Sequence, residues 1–342
     1  MDGVSAASIG ENGMAEFIIR RRMHGLYLSR KRGDLLELAR ELLGMHSWFY
    51  RNVCFSALIR GADIYGWKES LTKTWLYRGT LHAVAYDELP TLLALHTDES
   101  YLDRWYGREI VEAFEAEVVR RMEDGVYSRA EFRRIFANDY DAKFIEAMFS
   151  PWGGVFVRLA RQGRVAFRDM ASRDFDLISA EPAETREEVL PGLLRRYFTV
   201  YGPATIADAA QFFGFWKADA RALRSIPLDD LDRFTLNKQV YYYSDIGDTA
   251  DIPETTLLSG FDPYIVSYAD RSASLPIEYK KRVILSSGIC LPTIAVNGCV
   301  AGLWNIKGRE SVVEFFEPQP PRIERAAQDA VETIRRRAGI WK

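Results

Sequence analysis

Residues able to carry chemistry are few in this chain and widely spaced. Its four histidines (His24, His46, His82, His96) and three cysteines (Cys54, Cys290, Cys299) show none of the close pair spacings that zinc sites use. No Gly-rich phosphate loop or dinucleotide fingerprint appears either, so function without a metal or cofactor is the expectation. Chemistry then falls to single side chains. His46 is one: a neutral imidazole near its usual pKa of about 6.5 can accept a hydrogen bond from water and act as a general base. It stands two residues before Trp48 and just past Gly44, where an extended backbone puts positions 46 and 48 on one side. The Trp48 indole N–H only donates, so it cannot replace His46 as a base. The competing reading, given equal weight, is that both residues are packed at a helix junction.

A second kind of chemistry, the gripping of a polyanion, is suggested by Tyr201 to Gly214 (Y-G-P-A-T-I-A-D-A-A-Q-F-F-G). Gly202-Pro203 stops one helix, Thr205 and Asp208 cap the next, and Ile206, Ala209, Ala210 and Phe213 recur at helical spacing. Gly214 breaks that helix, and Trp216 to Leu223 supplies a second, which would be the recognition helix of a helix-turn-helix. An ordinary two-helix corner has the same pattern. The net charge of -3 means that any DNA surface is local. Two basic runs offer one: Arg20, Arg21, Arg22, Arg30, Lys31 and Arg32, and farther on Arg158, Arg161, Arg164 and Arg168. Such runs are more often solvated faces.

The elements that must position these residues repeat along the chain. First comes the stripe Leu35, Leu38, Ala39 and Leu42 closed by Gly44, then a helix over Asn52 to Arg60. Strands Thr74 to Tyr77 and Thr80 to Ala85 follow around the turn Arg78-Gly79. The second segment has helices at Ile110 to Met122, Ala130 to Phe136 and Phe156 to Arg161, then the turn Gln162-Gly163 and a strand Arg164 to Phe167. The third holds the helix-turn-helix and ends in Val240 to Tyr243. Beyond Pro253, Ile284 to Leu285, Ile289 to Val296 and Cys299 to Asn305 read as strands. Asn297-Gly298 is a two-residue hairpin signal. A closing helix, Arg322 to Arg337, carries Ile323, Ala326, Ala327, Ala330 and Ile334 on one face.

The expected fold is therefore α+β: three tandem winged-helix (helix-turn-helix) domains followed by a small β-rich C-terminal domain with a closing helix. The boundaries read as a tail over 1–22, winged helices over 23–100, 101–185 and 186–248, and the β-rich domain over 249–342. The 48% hydrophobic and 13% aromatic content is ample for such cores. An odd number of scattered cysteines fits a reducing cytoplasm. No apolar run suggests membrane spanning or export, so no membrane partner is expected.

Five segments in order give the chain a resemblance to the winged-helix DNA glycosylases of the AlkZ/YcaQ type, from about Leu35 to about Lys307. They are L-L-G-M-H-S-W (Leu42 to Trp48), W-L-Y-R-G-T-L-H (Trp75 to His82), Y-G-P-A-T-I-A-D (Tyr201 to Asp208), F-D-P-Y-I-V-S-Y-A-D-R (Phe261 to Arg271) and N-G-C-V-A-G-L-W (Asn297 to Trp304). The resemblance implies a protein that holds double-stranded DNA, alkylated or not, and excises N7-alkylated or crosslinked purines; a three-winged cradle can embrace DNA as a monomer, and no dimer is required. N7 alkylation makes the purine cationic and easily lost, so the enzyme need only place a water at C1′ and stabilise the developing sugar charge. The family does this with Gln-x-Gln or Gln-x-Asp, a slot that here reads His46-Ser47-Trp48. His46 is thus the catalytic expectation, with Trp48, Arg51, Arg78, His82 and Arg271 touching DNA. Arg78, in the turn, is well placed for phosphate, while structural roles compete for the others. A salt bridge is as good a reading of Arg51, a satisfied histidine is favoured for His82, and an internal ion pair is favoured for Asp262 and Arg271. Trp304 and Tyr241 to Tyr243 read as core. The alternative function is a non-catalytic winged-helix DNA-binding protein, a lesion sensor or regulator; the enzyme is ranked slightly ahead.

Overall fold

The computed structural model describes residues 11–64, 66, 70–96, 101–245, 247, 249 and 251–339. The chain mixes helix and sheet and divides into two compact units, one formed by residues 1–65 and 191–342, the other by 66–190. Residues 1–10 of the expected N-terminal tail lie outside the described part. From there on, that tail is a helix, Glu11–Gly25, with Met14, Ile18, Ile19 and Met23 buried.

In the first unit, Asp34 caps the helix Leu35–Glu41 by accepting from the Glu37 amide, and Leu35, Leu38 and Ala39 are buried. Leu43 (φ 54°) and Gly44 (φ 100°) then turn the chain out of the helix. The helix Tyr50–Ile59 follows. The expected helix pair forms as its residues dictate. Thr205 accepts from the Asp208 amide while the Asp208 carboxylate accepts from the Thr205 amide, a capping box that starts the helix Ile206–Phe213, and Gly214 in the left-handed region ends it. The shorter helix Lys217–Ala222 comes next. A two-stranded hairpin, Asp232–Leu236 with Gln239–Tyr243, follows. Its Tyr241, Tyr242 and Tyr243 are only half-buried, which corrects their reading as core: Tyr241 stacks on its cross-strand neighbour Phe234 at 5.2 Å, while Tyr242 meets Phe198 and Tyr243 meets Phe17.

The β-rich end of this unit is an antiparallel sheet in the order Glu310–Phe315, Cys299–Lys307, Thr293–Val296, Thr255–Leu258. Its hairpin pairs Cys299 with Val296 across Asn297 (φ 48°) and Gly298 (φ 81°), the turn the Asn-Gly pair specifies. Gly298 is also pressed against the first helix, and a Cβ there would lie 2.3 Å from Ile19. The closing helix Pro321–Arg337 buries Ile323, Ala327, Val331 and Ile334. Ala326 is exposed, because the buried stripe is narrower than the alanines suggest. Trp304 is buried as expected, its indole N–H donating to the Leu258 carbonyl at 2.9 Å.

In the second unit, the strands Leu71–Trp75 and Leu81–Ala85 pair from Leu71 with Ala85 to Trp75 with Leu81. They close through Arg78 (φ 56°) and Gly79 (φ 65°). The sheet continues through Val165–Phe167 to Phe175–Leu177. Helices Arg108–Glu123, Arg129–Phe136, Ala142–Met148 and Val155–Arg161 cover it with a core of aromatic rings, among them Phe156 stacked on Phe175 at 4.1 Å.

Candidate nucleic-acid site

His46 ends a two-residue strand, Met45–His46, that the left-handed Leu43-Gly44 corner throws clear of the preceding helix. Its imidazole is half-buried and lies flat on the Phe261 ring, 4.1 Å between centroids and 6° from parallel. Phe261 holds a left-handed backbone (φ 55°), which costs a bulky side chain about 1–2 kcal/mol and persists only where the surroundings impose it. Asp262 imposes it. Its fully buried carboxylate accepts from the Ser259 amide and hydroxyl, both at 3.1 Å, and from the Tyr264 amide at 3.1 Å. It also takes both guanidinium ends of Arg60 at 2.8 and 3.1 Å. Arg60 is equally buried and donates its Nε to the Leu26 carbonyl at 2.8 Å. The plane on which His46 rests is thus fixed by a desolvated, bidentate ion pair. Sequence spacing pairs Asp262 with Arg271; instead Asp262 bonds Arg60, and Arg271 Nε caps the short helix Pro263–Val266 through the Ile265 carbonyl at 2.9 Å.

Beside this stack opens a cavity of about 340 Å³, lined among others by Phe49, Asn52, Phe261, Cys290, Trp304 and Lys307. Asn52 is 7% exposed, and its Oδ1 sits so close to Gly260 that a Cβ there would stand 2.9 Å from it. Trp48 is half-buried two residues after His46, Phe49 is exposed, and Arg51 is exposed in the first turn of the helix Tyr50–Ile59. A positive charge at a helix start gains nothing from the helix dipole. Phe261, Asn52 and Arg60 were not expected here. The F-D-P-Y run pointed at the loop, but nothing local marks Arg60 as its anchor.

In the second unit, Arg78 occupies the hairpin turn and is half-buried. His82 is 3% exposed, with Nδ1 3.2 Å from the Thr80 carbonyl and its ring edge-on to Tyr77. A side chain without surface braces the turn rather than reaching out from it.

The run Arg20 to Arg32 is largely neutralised from within. Arg20 pairs with Glu16 and Asp251, Arg21 with Asp245, and Arg32 with Glu37 and Glu41. Arg22 is buried, 3.8 Å from Asp208 and 3.7 Å over the Tyr268 ring. Lys31 donates to the Ile59 carbonyl at 2.7 Å, and burial draws its pKa down to about 8. Among the described residues no group of His, Cys, Asp and Glu could hold a metal ion, and no helix is long and apolar enough to cross a membrane.

A family model described as DNA glycosylase AlkZ-like matches residues 68–340. An interstrand DNA cross-link repair glycosylase of Streptomyces sahachiroi is 27% identical, the match covering 77% of this chain and 76% of that protein. The solved structure of the Streptomyces sahachiroi DNA glycosylase AlkZ superposes with a TM-score of 0.74 at 23% identity, covering 93% of this chain and 96% of that one. The chain belongs to the AlkZ-like DNA glycosylase family.

Proposed function

We propose that this protein is a monofunctional DNA glycosylase that releases N7-alkylated or crosslinked purines from duplex DNA as a monomer, its helix-turn-helix modules reading as three tandem winged helices over 23–100, 101–185 and 186–248. The observation that carries the reading is the His46 imidazole held flat on Phe261 at the edge of a cavity. The N-glycosidic bond breaks with its electron pair leaving on the cationic purine. A water then bonds to C1′, and His46 takes the proton that this water gives up. Trp48 stacks on the extruded nucleotide, a step made cheaper by damage. Arg51, Arg78 and Arg271 hold backbone phosphates, and His82 supports the Arg78 turn. A binding-only protein is the second reading, favoured by the His46-x-Trp48 replacement of the family's polar pair.

The test is a duplex oligonucleotide bearing N7-methylguanine, incubated with protein and treated with alkali. The enzyme reading expects strand breaks that fall at least a hundredfold in His46→Ala while duplex binding persists. Salt-sensitive binding without breaks selects the second reading, and no binding at low salt removes both.

A further inference from the structure

The second unit holds a larger cavity, about 750 Å³, that none of the proposed site residues lines. His96, Arg158, Arg161 and Arg186 face it, with Trp152 and Tyr101 among its walls. The arginines differ in kind. Arg158 is spoken for by Asp103 and by Glu115, the latter at 2.6 Å. Arg161 forms no ion pair or hydrogen bond with any described residue. Its Nε is buried, and its far nitrogen lies 3.8 Å from where a Cβ of Gly79 would stand. Burial lowers the pKa of Arg161, yet an arginine stays charged at any physiological pH. Arg161 is half-buried, and holding its charge partly away from water with no counter-charge among the described residues is costly.

His96 reports the same field. Its Nε2 is buried without a partner, and its pKa is pushed down to about 3 by burial and then by the charges of Arg161 and Arg186. Glu184 and Glu187 also line the cavity, but both are exposed. The adjoining helix start is already closed, since Thr185 and Glu188 cap each other. The rim is aromatic: Trp152 is 70% exposed, and the Tyr101 ring lies where any Cβ on Gly153 would meet it at 2.5 Å.

We infer that this cavity is a phosphate site in which Arg161 receives the anion, and that its occupant is a nucleotide unit of a nucleic acid whose base stacks on Trp152. Naming nucleic acid as the source of the phosphate rests on the proposed function; the site itself does not.

The test measures affinity for three probes, inorganic phosphate, a 5′-phosphorylated single-stranded oligonucleotide and its 5′-hydroxyl form, with wild type, Arg161→Gln, Arg161→Lys and Trp152→Ala. Thermal unfolding confirms that each variant is folded. The expected result is oligonucleotide binding weakened about tenfold in Arg161→Gln, with the salt slope reduced by about one, and weakened a few-fold in Trp152→Ala. Arg161→Lys, which keeps the charge but loses the fork, falls between. Phosphate binding lost in Arg161→Gln with oligonucleotide binding unaffected supports the site and overturns its nucleic-acid occupant. Identical affinities in wild type and Arg161→Gln for every probe overturn the inference. Loss of base excision in His46→Ala bears on the catalytic reading alone.

Discussion

At the scale of the residue, the chemistry proposed for this chain depends on how well one imidazole is held. Stacking by itself is a weak restraint, but Phe261 cannot swing away, because Asp262 fixes the backbone on one side of it and the Phe261 amide donates to the Cys290 carbonyl at 3.2 Å. A general base placed 1 Å from its productive position loses orders of magnitude in rate. Phe261→Leu keeps an apolar side chain yet removes the flat surface. It should slow base release about tenfold under single-turnover conditions while changing duplex affinity less than about twofold. Equal turnover in the variant would show that the stack does not position His46. Removing the anchor is a different experiment. Asp262→Asn leaves the buried Arg60 guanidinium without its counter-charge and should cost about 3–5 kcal/mol in denaturant unfolding. A loss below about 1 kcal/mol would mean that the pair is not what holds the loop.

Elements rather than residues decided what the sequence could foretell. The capping box at Thr205 and Asp208, the Asn297-Gly298 turn and the Arg78-Gly79 turn were legible because each is written within four residues and obeys backbone sterics. The strand Glu310–Phe315 was not: it has Gly308 and Arg309 before it but little alternation of its own, and it exists by pairing with Cys299–Lys307. The loop that carries Phe261 was visible as a motif, whereas its anchor, Arg60, lies 202 residues away from Asp262. The Arg20 to Arg32 run is neutralised partly by carboxylates close in sequence, Glu16, Glu37 and Glu41, and partly by Asp208, Asp245 and Asp251, which only the fold delivers. Sheet burial also makes a pH prediction. Lys73 lies in a central strand, donating to the Met170 carbonyl at 3.0 Å above the Phe167 ring, and burial lowers its pKa to about 8 against the opposing pull of Asp169. Unfolded, the same lysine holds its proton to about 10.5, so between these values the unfolded chain binds more protons and stability rises with pH. Lys73→Met should therefore be the more stable protein at pH 7, by about 1–2 kcal/mol, with its lead shrinking as pH climbs from 8 towards 10.5. A pH-independent difference in urea unfolding would contradict the burial cost.

For the whole molecule, the question is how a chain of net charge -3 is to hold a polyanion. Affinity for duplex DNA scales with the phosphates neutralised, and an arginine already bound to a carboxylate must break that pair before it can release a DNA counterion. Many arginines here are in that state. Arg168 sits 2.9 Å from Asp176, Arg195 is 2.8 Å from Asp230, Arg282 is 2.8 Å from Glu314, and Arg322 is 2.7 Å from Glu254. Binding should then be salt-sensitive but shallow, with a log–log slope corresponding to about three to five phosphates rather than the ten that some repressors reach. Individual arginines should sort by their place relative to the proposed site. Arg51→Ala, at an exposed position in the helix that follows His46, should lower the slope by about one. Arg168→Ala should leave the slope within error and cost at most about 1 kcal/mol of stability, the usual worth of an exposed pair. Fluorescence-anisotropy titrations of a duplex at four salt concentrations distinguish the two. A larger slope change for Arg168→Ala than for Arg51→Ala would mean that DNA lies against a different face, and the phosphate contacts assigned to Arg51 and Arg78 would have to be given up.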